Sequence, residues 1–227
     1  MGLKGRAFLA IWHGLRDGAA TEFEQYHTVE HMPERLGIPG FLRGRRYMNW
    51  DHKSHVCFTM YEASHLEVFR SPAYLARLNA PTDWTRKVQP NMTGFLRGAC
   101  ENVFSSGSGV AGAASVLRLR SQGDASTLPR APDLGVACIR IAASTGISGV
   151  HLGQHRPEIA SAPTKETELR VKGDDSGFDF LAVVEGLDRS YLEAAADKVR
   201  EQFAHIGLEI ADSGDYGLSY QLDNDGT

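Results

Sequence analysis

The chain has 227 residues, of which 42% are hydrophobic and 23% charged, and its formal net charge is -4. A chain of this length buries one large core or two small ones of about 100 residues each. Without a basic excess it has no electrostatic basis for binding nucleic acid or an anionic membrane. It also lacks an apolar run near the roughly 20 residues that cross a bilayer, and its first residues lack the apolar core of a signal peptide. We therefore expect a cytoplasmic globular protein with neither nucleic acid nor membrane as a partner.

The first half of the chain alternates strand and helix patterns. In chain order these predict a strand (7–14), a helix (21–36), two strands (40–50 and 55–62), a helix from residue 64, and a strand (94–104). This β-α-β-β-α-β order is the split βαβ, ferredoxin-like motif. The pentapeptide GFLRG opens both strands that follow a helix, at 40–44 and 94–98. Its first glycine permits a backbone conformation that other residues resist, so we expect a shared geometry at both places.

The second half predicts a weaker version of the same layout. Residues 106–112 are small and predict a linker between a first repeat, 1–105, and a second, diverged repeat, 113–227. Strands are predicted at 113–120, 150–159, 178–185 and 216–222, and an amphipathic helix at 190–206; residues 138–144 suit a helix or a strand, and polar residues 161–177 predict an exposed insertion or hairpin. We predict an α+β fold in which two ferredoxin-like (βαββαβ) repeats pack sheet to sheet as an α+β barrel.

Residues 27–31, HTVEH, match the H-x-x-E-H pattern of zinc peptidases. His27 and His31 lie four residues apart, and Glu30 is placed to act as a base. Catalytic zinc also requires a third protein ligand. The segment that follows is a predicted strand, so Glu62 or Glu101 could complete the site only through a chance of folding. We therefore predict no metal site and no tightly bound cofactor.

Proton transfer is the sharper interpretation of the same helix. On a helical wheel His27 and Glu30 share one arc, with Tyr26 and His31 on its opposite shoulders. Histidine acts as a general acid or base near neutral pH, and a partner carboxylate would orient it and raise its pKa. The catalytic candidates are therefore His31, Tyr26, Glu30 and His27. The alternative is that both histidines are solvent-facing or merely hydrogen-bonded helix residues.

Arg46 is the second candidate, because its predicted strand face is otherwise mostly apolar. An unpaired buried charge is costly, so Arg46 needs a partner. Glu30 or Glu62 would be a structural partner, whereas an anionic oxygen of a substrate would be a functional one. Apolar walls for such a substrate would come from Trp12, Trp50 and Tyr61.

Two further histidines, His151 and His155, alternate with apolar residues on the strand predicted at 150–159. Surface or edge positions are expected for both, with metal binding as the alternative. The second half has no copy of the segment YHTVEH, so we expect a single site per chain.

The segment 23–47 resembles the helix-to-strand signature of the EthD-like branch of the dimeric α+β barrel superfamily. The likeness depends on Phe23, Tyr26, Glu30, His31 and Pro33, followed by PGF and RRY. It covers residues 7–104, and over 110–222 it depends on layout alone. The resemblance implies two ferredoxin-like units that form a barrel, here within one chain as a pseudo-dimer, and a small cavity between helices and sheet. Relatives include cofactor-free oxygenases, isomerases, haem-handling enzymes and members without assigned activity, so the reaction must be argued from the site.

These observations predict a small-molecule enzyme of the isomerase or cofactor-independent oxygenase type, acting on an aromatic, polyketide-like or lactone compound. His31 would move a proton, Glu30 or His27 would orient it, Tyr26 would donate a hydrogen bond, and Arg46 would hold an anionic oxygen. One alternative is a non-catalytic protein that binds a small ligand, or haem through a histidine. Another is a structural partner module with solvated histidines. The sequence leaves open whether the chain also forms a homodimer.

Overall fold

The computed structural model describes residues 2–49, 51–123, 128–159, 163–171, 173 and 177–224. Trp50, predicted to line the site, lies outside the described residues. The strands are β1 (Ala7–Leu15), β2 (Phe41–Met48), β3 (Cys57–Ala63), β4 (Met92–Ser105), β5 (Ala113–Ser121), β6 (Ile147–His155), β7 (Phe180–Gly186) and β8 (Leu208–Asp223). They form a closed barrel in the order β1-β3-β2-β8-β5-β7-β6-β4, which confirms the predicted α+β barrel.

The helices are α1 (Ala20–Tyr26), α2 (Met32–Leu36), α3 (Pro72–Leu78), α4 (Asp83–Val88), α5 (Ala131–Ala142) and α6 (Arg189–His205). Residues 138–144, which suited either structure, thus belong largely to a helix. Pro72 begins α3 because a proline is tolerated in a helix's first turn, and Ser71 caps it by accepting the Tyr74 N–H. None of the described helices is both long and apolar enough to cross a membrane.

Two compact units interleave along the chain, whereas the sequence predicts a division at 106–112. The N-terminal unit comprises Lys4–Ala99, Arg156–Ser176 and Ser219–Thr227, and the C-terminal unit comprises Met1–Leu3, Cys100–His155 and Gly177–Leu218. In the C-terminal unit, β7 pairs antiparallel with β5 and β6. Its core includes apolar residues from α5 and α6, namely Leu134, Cys138, Ile141, Leu192, Val199 and Phe203.

In the N-terminal unit, β3 pairs antiparallel with both β1 and β2. All seven of its residues are buried, as expected for a strand covered on both faces. The first glycines of the two GFLRG pentapeptides share the backbone region predicted for them, although Gly40 precedes β2 and Gly94 lies within β4. Gly40 and Gly94 both have positive φ, at 96° and 57°, a region that favours glycine because it lacks Cβ.

The predicted helix 21–36 is interrupted by a π-helical turn, His27–His31, between α1 and α2. The Met32 N–H bonds to the His27 carbonyl, five residues back, so the turn holds one residue more than an α-helical turn. His27 and His31 are both buried, while Val29 between them is 63% exposed. The interpretation of both histidines as solvated is therefore wrong.

A buried ion cluster joins β2 and β3. The Glu62 side chain is fully buried, and Oε1 and Oε2 each accept a 2.8 Å hydrogen bond from Arg43. Nε of Arg45 lies 2.9 Å from Oε1 of the same carboxylate. Glu62 therefore pairs with Arg43 and Arg45, not with Arg46.

We expect Glu62→Gln to lower the free energy of unfolding by about 3–5 kcal/mol, because it leaves two guanidinium groups buried without their counter-charge. Glu67→Gln is the control, because Glu67 forms an exposed pair with Arg70 and its loss costs about 1 kcal/mol or less. Urea unfolding followed by circular dichroism measures both. Equal costs would show that the Glu62 cluster contributes no more than a surface pair.

Candidate active site

A small cavity in the N-terminal unit lies beside the π-helical turn. Its volume is about 20 Å³, room for one water molecule. Its apolar lining is Ile11, Met92 and Phe95, and its polar lining is His13, Tyr26, His27, His31, Thr59, Tyr61, Gln89 and Arg170. The structure thus brings together four of the predicted residues: Tyr26, His27, His31 and Tyr61.

A chain of side-chain hydrogen bonds leads from His31 to Glu30. Oη of Tyr26 lies 2.8 Å from Nδ1 of His31 and 2.9 Å from Oγ1 of Thr85. Oγ1 of Thr85 lies 3.0 Å from Oγ1 of Thr82, which donates to Oε1 of Glu30 at 2.5 Å. Tyr26 and Thr85 are buried, whereas Thr82 and Glu30 are half-buried. We call this series, His31–Tyr26–Thr85–Thr82–Glu30, the hydroxyl chain.

The hydroxyl chain has one proton arrangement when Glu30 is ionised. A carboxylate only accepts hydrogen bonds, and each hydroxyl carries a single proton. Thr82 donates to Glu30, so Thr85 must donate to Thr82, and Tyr26 must donate to Thr85. Nδ1 of His31 then carries the proton that Tyr26 accepts. Nε2 of His31 keeps its lone pair, and it has no hydrogen-bond partner among the described residues.

His13, on β1, is a second neutral imidazole at the cavity. Its Nδ1 donates to the Gly14 carbonyl at 2.8 Å, which leaves the Nε2 lone pair unprotonated. Its ring packs edge-on against Phe23, with centroids 4.8 Å apart. Burial, aided by the charge of Arg170, lowers the pKa of His13 to about 4, although the Gly14 hydrogen bond acts in the opposite direction.

The pKa values of His31 and His27 are lowered as well. Burial, followed by the charges of Arg35 and Arg170, lowers the pKa of His31 well below its usual value. Burial, then His31 and Arg46, does the same to the pKa of His27. The expectation that a carboxylate raises a histidine pKa here is wrong, because the Glu30 side chain bonds Thr82 instead. Near neutral pH the site therefore contains unprotonated imidazoles, which act as bases.

His27 uses both ring nitrogens. Nη1 of Arg46 lies 3.5 Å from Nδ1, and Oη of Tyr61 lies 3.3 Å from Nε2. Because a guanidinium only donates, Nδ1 is the acceptor and Nε2 carries the proton. His27 is therefore placed to orient Tyr61, and its own lone pair is engaged.

Arg46 and Trp12 lie outside the cavity lining. Nη1 of Arg46 donates to the Glu24 carbonyl at 3.2 Å and to Oγ1 of Thr28 at 3.1 Å. It pairs with neither predicted carboxylate; backbone and hydroxyl oxygens accept its hydrogen bonds instead. The Trp12 ring packs on Phe58 at 5.2 Å, and strand alternation directs its neighbours Ile11 and His13 to the cavity instead.

The cation at the cavity is Arg170, which the sequence did not single out. Its guanidinium lies 4.3 Å from the Phe95 ring centroid, and Nε donates to Oε1 of Gln89 at 2.8 Å. Nη2 also bonds Glu166. The predicted exposure of 161–177 is wrong for this part of the segment, because Glu166 is buried. Two features of the sequence could have indicated these site residues. Glu166 and Arg170 carry opposite charges four residues apart, and His13 lies within an apolar run.

Glu166 compensates a cluster of positive charge. It accepts from Nη2 of Arg35 at 2.5 Å and from Nε2 of Gln89 at 2.8 Å. Burial opposes its ionisation, but Arg35 and Arg170 outweigh burial and hold the pKa of Glu166 below its usual value. Within the described ranges, no three His, Cys, Asp or Glu side chains group in a way that could hold a metal ion.

Comparison with known proteins yields structural neighbours only. No protein-family model and no curated protein sequence matches the chain. An anthrone oxidase-like protein has a TM-score of 0.62 at 11% identity, covering 98% of this chain and 94% of its own. A candidate monooxygenase of Fusobacterium nucleatum has a TM-score of 0.59 at 11% identity, with 99% and 98% covered. A haem-binding protein of Thermus thermophilus has a TM-score of 0.52 at 11% identity, with 96% and 92% covered.

These neighbours, and the chlorite dismutases that also match, are proteins of the dimeric α+β barrel superfamily. At such low identity the likeness shows the fold alone. Haem does not fit the cavity described above, because its volume of about 20 Å³ is far below the roughly 300 Å³ or more of typical ligand pockets.

The histidine pKa shifts predict acid destabilisation. Below about pH 6.5 the unfolded chain takes up a proton at His13 that the folded chain refuses until about pH 4. The free energy of unfolding should therefore fall as pH drops through this window, by about 3 kcal/mol from His13 alone. Urea unfolding at about pH 7.5 and about pH 4.5 measures the change. His13→Asn keeps a donor near the Gly14 carbonyl and should reduce the pH dependence, whereas exposed His205→Asn should not. Equal pH dependence in wild type and His13→Asn would contradict the assignment.

The hydroxyl chain predicts histidine tautomers. Nitrogen-15 NMR should find the ring proton of His31 on Nδ1 and that of His27 on Nε2. Thr85→Val removes the acceptor of Tyr26, so Tyr26 should then donate to Nδ1 of His31 and move the ring proton to Nε2. Thr59→Val, another buried threonine of the cavity wall, should leave the His31 tautomer unchanged. A wild-type His31 protonated on Nε2 would show that the chain runs in the opposite direction.

Proposed function

We propose that the protein is a small-molecule enzyme of the isomerase or cofactor-independent oxygenase type, in which neutral His31 removes a proton from an aromatic, polyketide-like or lactone compound. One observation carries the proposal. Nδ1 of His31 is held by Tyr26 within the hydroxyl chain, while Nε2 of the same ring, which lines the cavity, has no partner among the residues that the structure describes. A positioned imidazole of this kind is the usual general base of proton abstraction.

The lowered pKa of His31 makes it a weak base, so neighbouring groups must stabilise the anion that proton removal leaves on the substrate. Arg35 and Arg170, which lower the pKa of His31, also disfavour its imidazolium form. The same positive charge stabilises the anion left on the substrate, and Arg170 is the lining cation placed to hold that oxygen. Arg170 thus takes the role that the sequence suggested for Arg46. Because it already bonds Glu166, its orientation is fixed before a substrate arrives.

The hydroxyl chain can transfer the abstracted proton from His31 to Glu30. When Nε2 gains a proton, Nδ1 can pass its own to Tyr26, and each hydroxyl can pass one onward until Glu30 is protonated. His31 returns to its neutral form, which relieves the unfavourable charge near Arg35 and Arg170. Glu30 then acts as the terminal proton acceptor at the half-buried end of the chain. Burial raises the pKa of Tyr26, so Tyr26 relays a proton and does not rest as a phenolate.

The neighbours named as a candidate monooxygenase and an anthrone oxidase-like protein support a substrate of the aromatic or polyketide-like class. The cavity accommodates only a water-sized molecule, so a substrate of that class must push the lining side chains apart. The small cavity also favours a second candidate function, a small-ligand binder without turnover.

The order of elements supports the finer assignment to a tandem, EthD-like member of the superfamily. Strands and α-helices follow β-α-β-β-α-β twice along the chain, if α1, the π-helical turn and α2 are counted as one helix and α3 and α4 as another. We propose that two ferredoxin-like repeats of one chain act as a pseudo-dimer.

Proton abstraction is tested by deuterium exchange into anthrone-type, 1,3-diketone and lactone compounds in D2O, followed by proton NMR, with O2 consumption measured in parallel. His31→Asn keeps the Nδ1-like donor to Tyr26 but removes the base, so the exchange rate should fall roughly 10²- to 10⁴-fold. Thr85→Val should slow exchange less, because it interrupts only the onward path. The wild-type rate should persist well below pH 6.5 and fall only when His31 becomes protonated.

His205→Asn, an exposed substitution, is the matched control and should exchange at the wild-type rate. Compounds that bind without exchanging would support the ligand-binding alternative. Unchanged exchange in His31→Asn would contradict His31 as the base. A Soret absorption band in the purified protein would contradict the cofactor-free assignment.

A further inference from the structure

The C-terminal unit contains a second cluster of reactive side chains, Ser105, His151 and Glu185. We propose that Ser105 is a nucleophile that accepts an acyl group from small activated esters, with His151 as its base and Glu185 as the group that orients His151. Oγ of Ser105 lies 2.8 Å from Nδ1 of His151. Nε2 of the same ring lies 3.3 Å from Oε1 of Glu185. The His151 and Glu185 side chains are fully buried, while Ser105 is exposed.

Strand pairing brings the three residues together. Ser105, on β4, lies directly opposite His151 on β6. His151 lies opposite Val183 on β7, and Glu185 is two residues further along the same strand. Residues two apart on a strand share a face, so Glu185 is a diagonal neighbour of His151 on one side of the sheet. The expected surface or edge position of His151 is therefore wrong, because β6 lies between β4 and β7 in the barrel and the His151 side chain is fully buried.

The carboxylate selects the histidine tautomer that the serine needs. Oε2 of Glu185 accepts the Ala111 N–H at 3.2 Å, and Oε1 of the same carboxylate faces Nε2 of His151. A proton on Nε2 satisfies that oxygen and leaves the Nδ1 lone pair to accept the Ser105 hydroxyl. The Nε2 contact lacks the alignment of a full hydrogen bond, and such contacts tighten when charge develops on the ring.

Two glycines, Gly2 and Gly149, pack against the His151 ring. A Cβ built on Gly2 would lie 2.9 Å from Cε1 of His151, and one on Gly149 would lie 3.2 Å from Nε2. Backbone therefore packs directly against the imidazole, and Ser105 is the end of the cluster that faces solvent. An exposed nucleophile accepts compact substrates that need little binding energy. The chemical class is thus a small ester with a good leaving group, or a reactive phosphonate that mimics it.

The acyl transfer requires only the three side chains of the cluster, the ester and water. Oγ of Ser105 attacks the ester carbonyl carbon, its proton moves to Nδ1 of His151, and the bond from that carbon to the leaving alcohol breaks. His151 returns the proton to the departing alkoxide. Water then attacks the Ser105 ester with His151 again as the base, which releases the acid and restores the serine.

Acylation of Ser105 is tested by treating the full chain with a fluorophosphonate probe and, separately, with 4-nitrophenyl acetate. Peptide mass spectrometry should find the adduct on Ser105, and 4-nitrophenol should appear as a burst followed by slow turnover. Ser106 is the internal comparator, because it is the adjacent serine and its hydroxyl bonds the Val150 backbone. Ser105→Ala should abolish both signals, and Ser106→Ala should change neither.

Glu185→Gln keeps the size of the side chain and should slow labelling by roughly tenfold or more. Its melting temperature, compared with that of the wild type, separates a folding defect from lost activation. A second variant, Ala111→Pro, removes the N–H that positions Glu185 and should also slow labelling. The proposal is overturned if Ser105 and Ser106 react at equal rates, or if folded Glu185→Gln reacts as fast as the wild type.

Discussion

One backbone hydrogen bond, from the Met32 N–H to the His27 carbonyl, positions the histidines of the candidate active site. This bond makes residues 27–31 a π-helical turn, and both histidines of that turn are buried with their ring centroids 5.5 Å apart. Once inside, the two rings contact Tyr26, Tyr61 and Arg46, and too little water reaches them to solvate their charged forms. Burial is the largest cause of both pKa shifts, so the turn determines where the rings lie and also which protonation state they hold.

Buried charge in this unit is partly compensated in two clusters, each with one carboxylate and two guanidinium groups. Glu62 pairs with Arg43 and Arg45, and Glu166 pairs with Arg35 and Arg170. Such clusters are costly to desolvate and are stable only when every member has a partner. Arg170 is the member that also lines the cavity, which makes it available to a developing oxyanion. Neutral bases beside a compensated cation suit anion formation better than acid catalysis.

The two polar clusters illustrate one rule in two settings. In the hydroxyl chain a carboxylate sets the direction of donors, and this direction leaves Nε2 of His31 free. In the cluster of Ser105, His151 and Glu185 a carboxylate sets the tautomer, and this tautomer leaves Nδ1 to the serine. In each case the carboxylate fixes which of the intervening atoms carry protons, and so decides which ring nitrogen keeps its lone pair.

Residues 138–144 suited a helix or a strand, but the α+β class, the order of the strands, and the helix that supplies Tyr26, His27 and His31 were all predictable from the sequence. These follow from local pattern: apolar periodicity, capping residues and the glycines of GFLRG are all read within a few residues. It did not determine the roles of Arg46 and Glu30, because both depend on which atoms fill the space beside them. Tertiary structure alone assembled His13, Arg170, Glu166 and the threonines Thr82 and Thr85 around the site. Those residues come from distant segments, and their pKa values and hydrogen-bond directions arise only when burial removes water and brings the segments together.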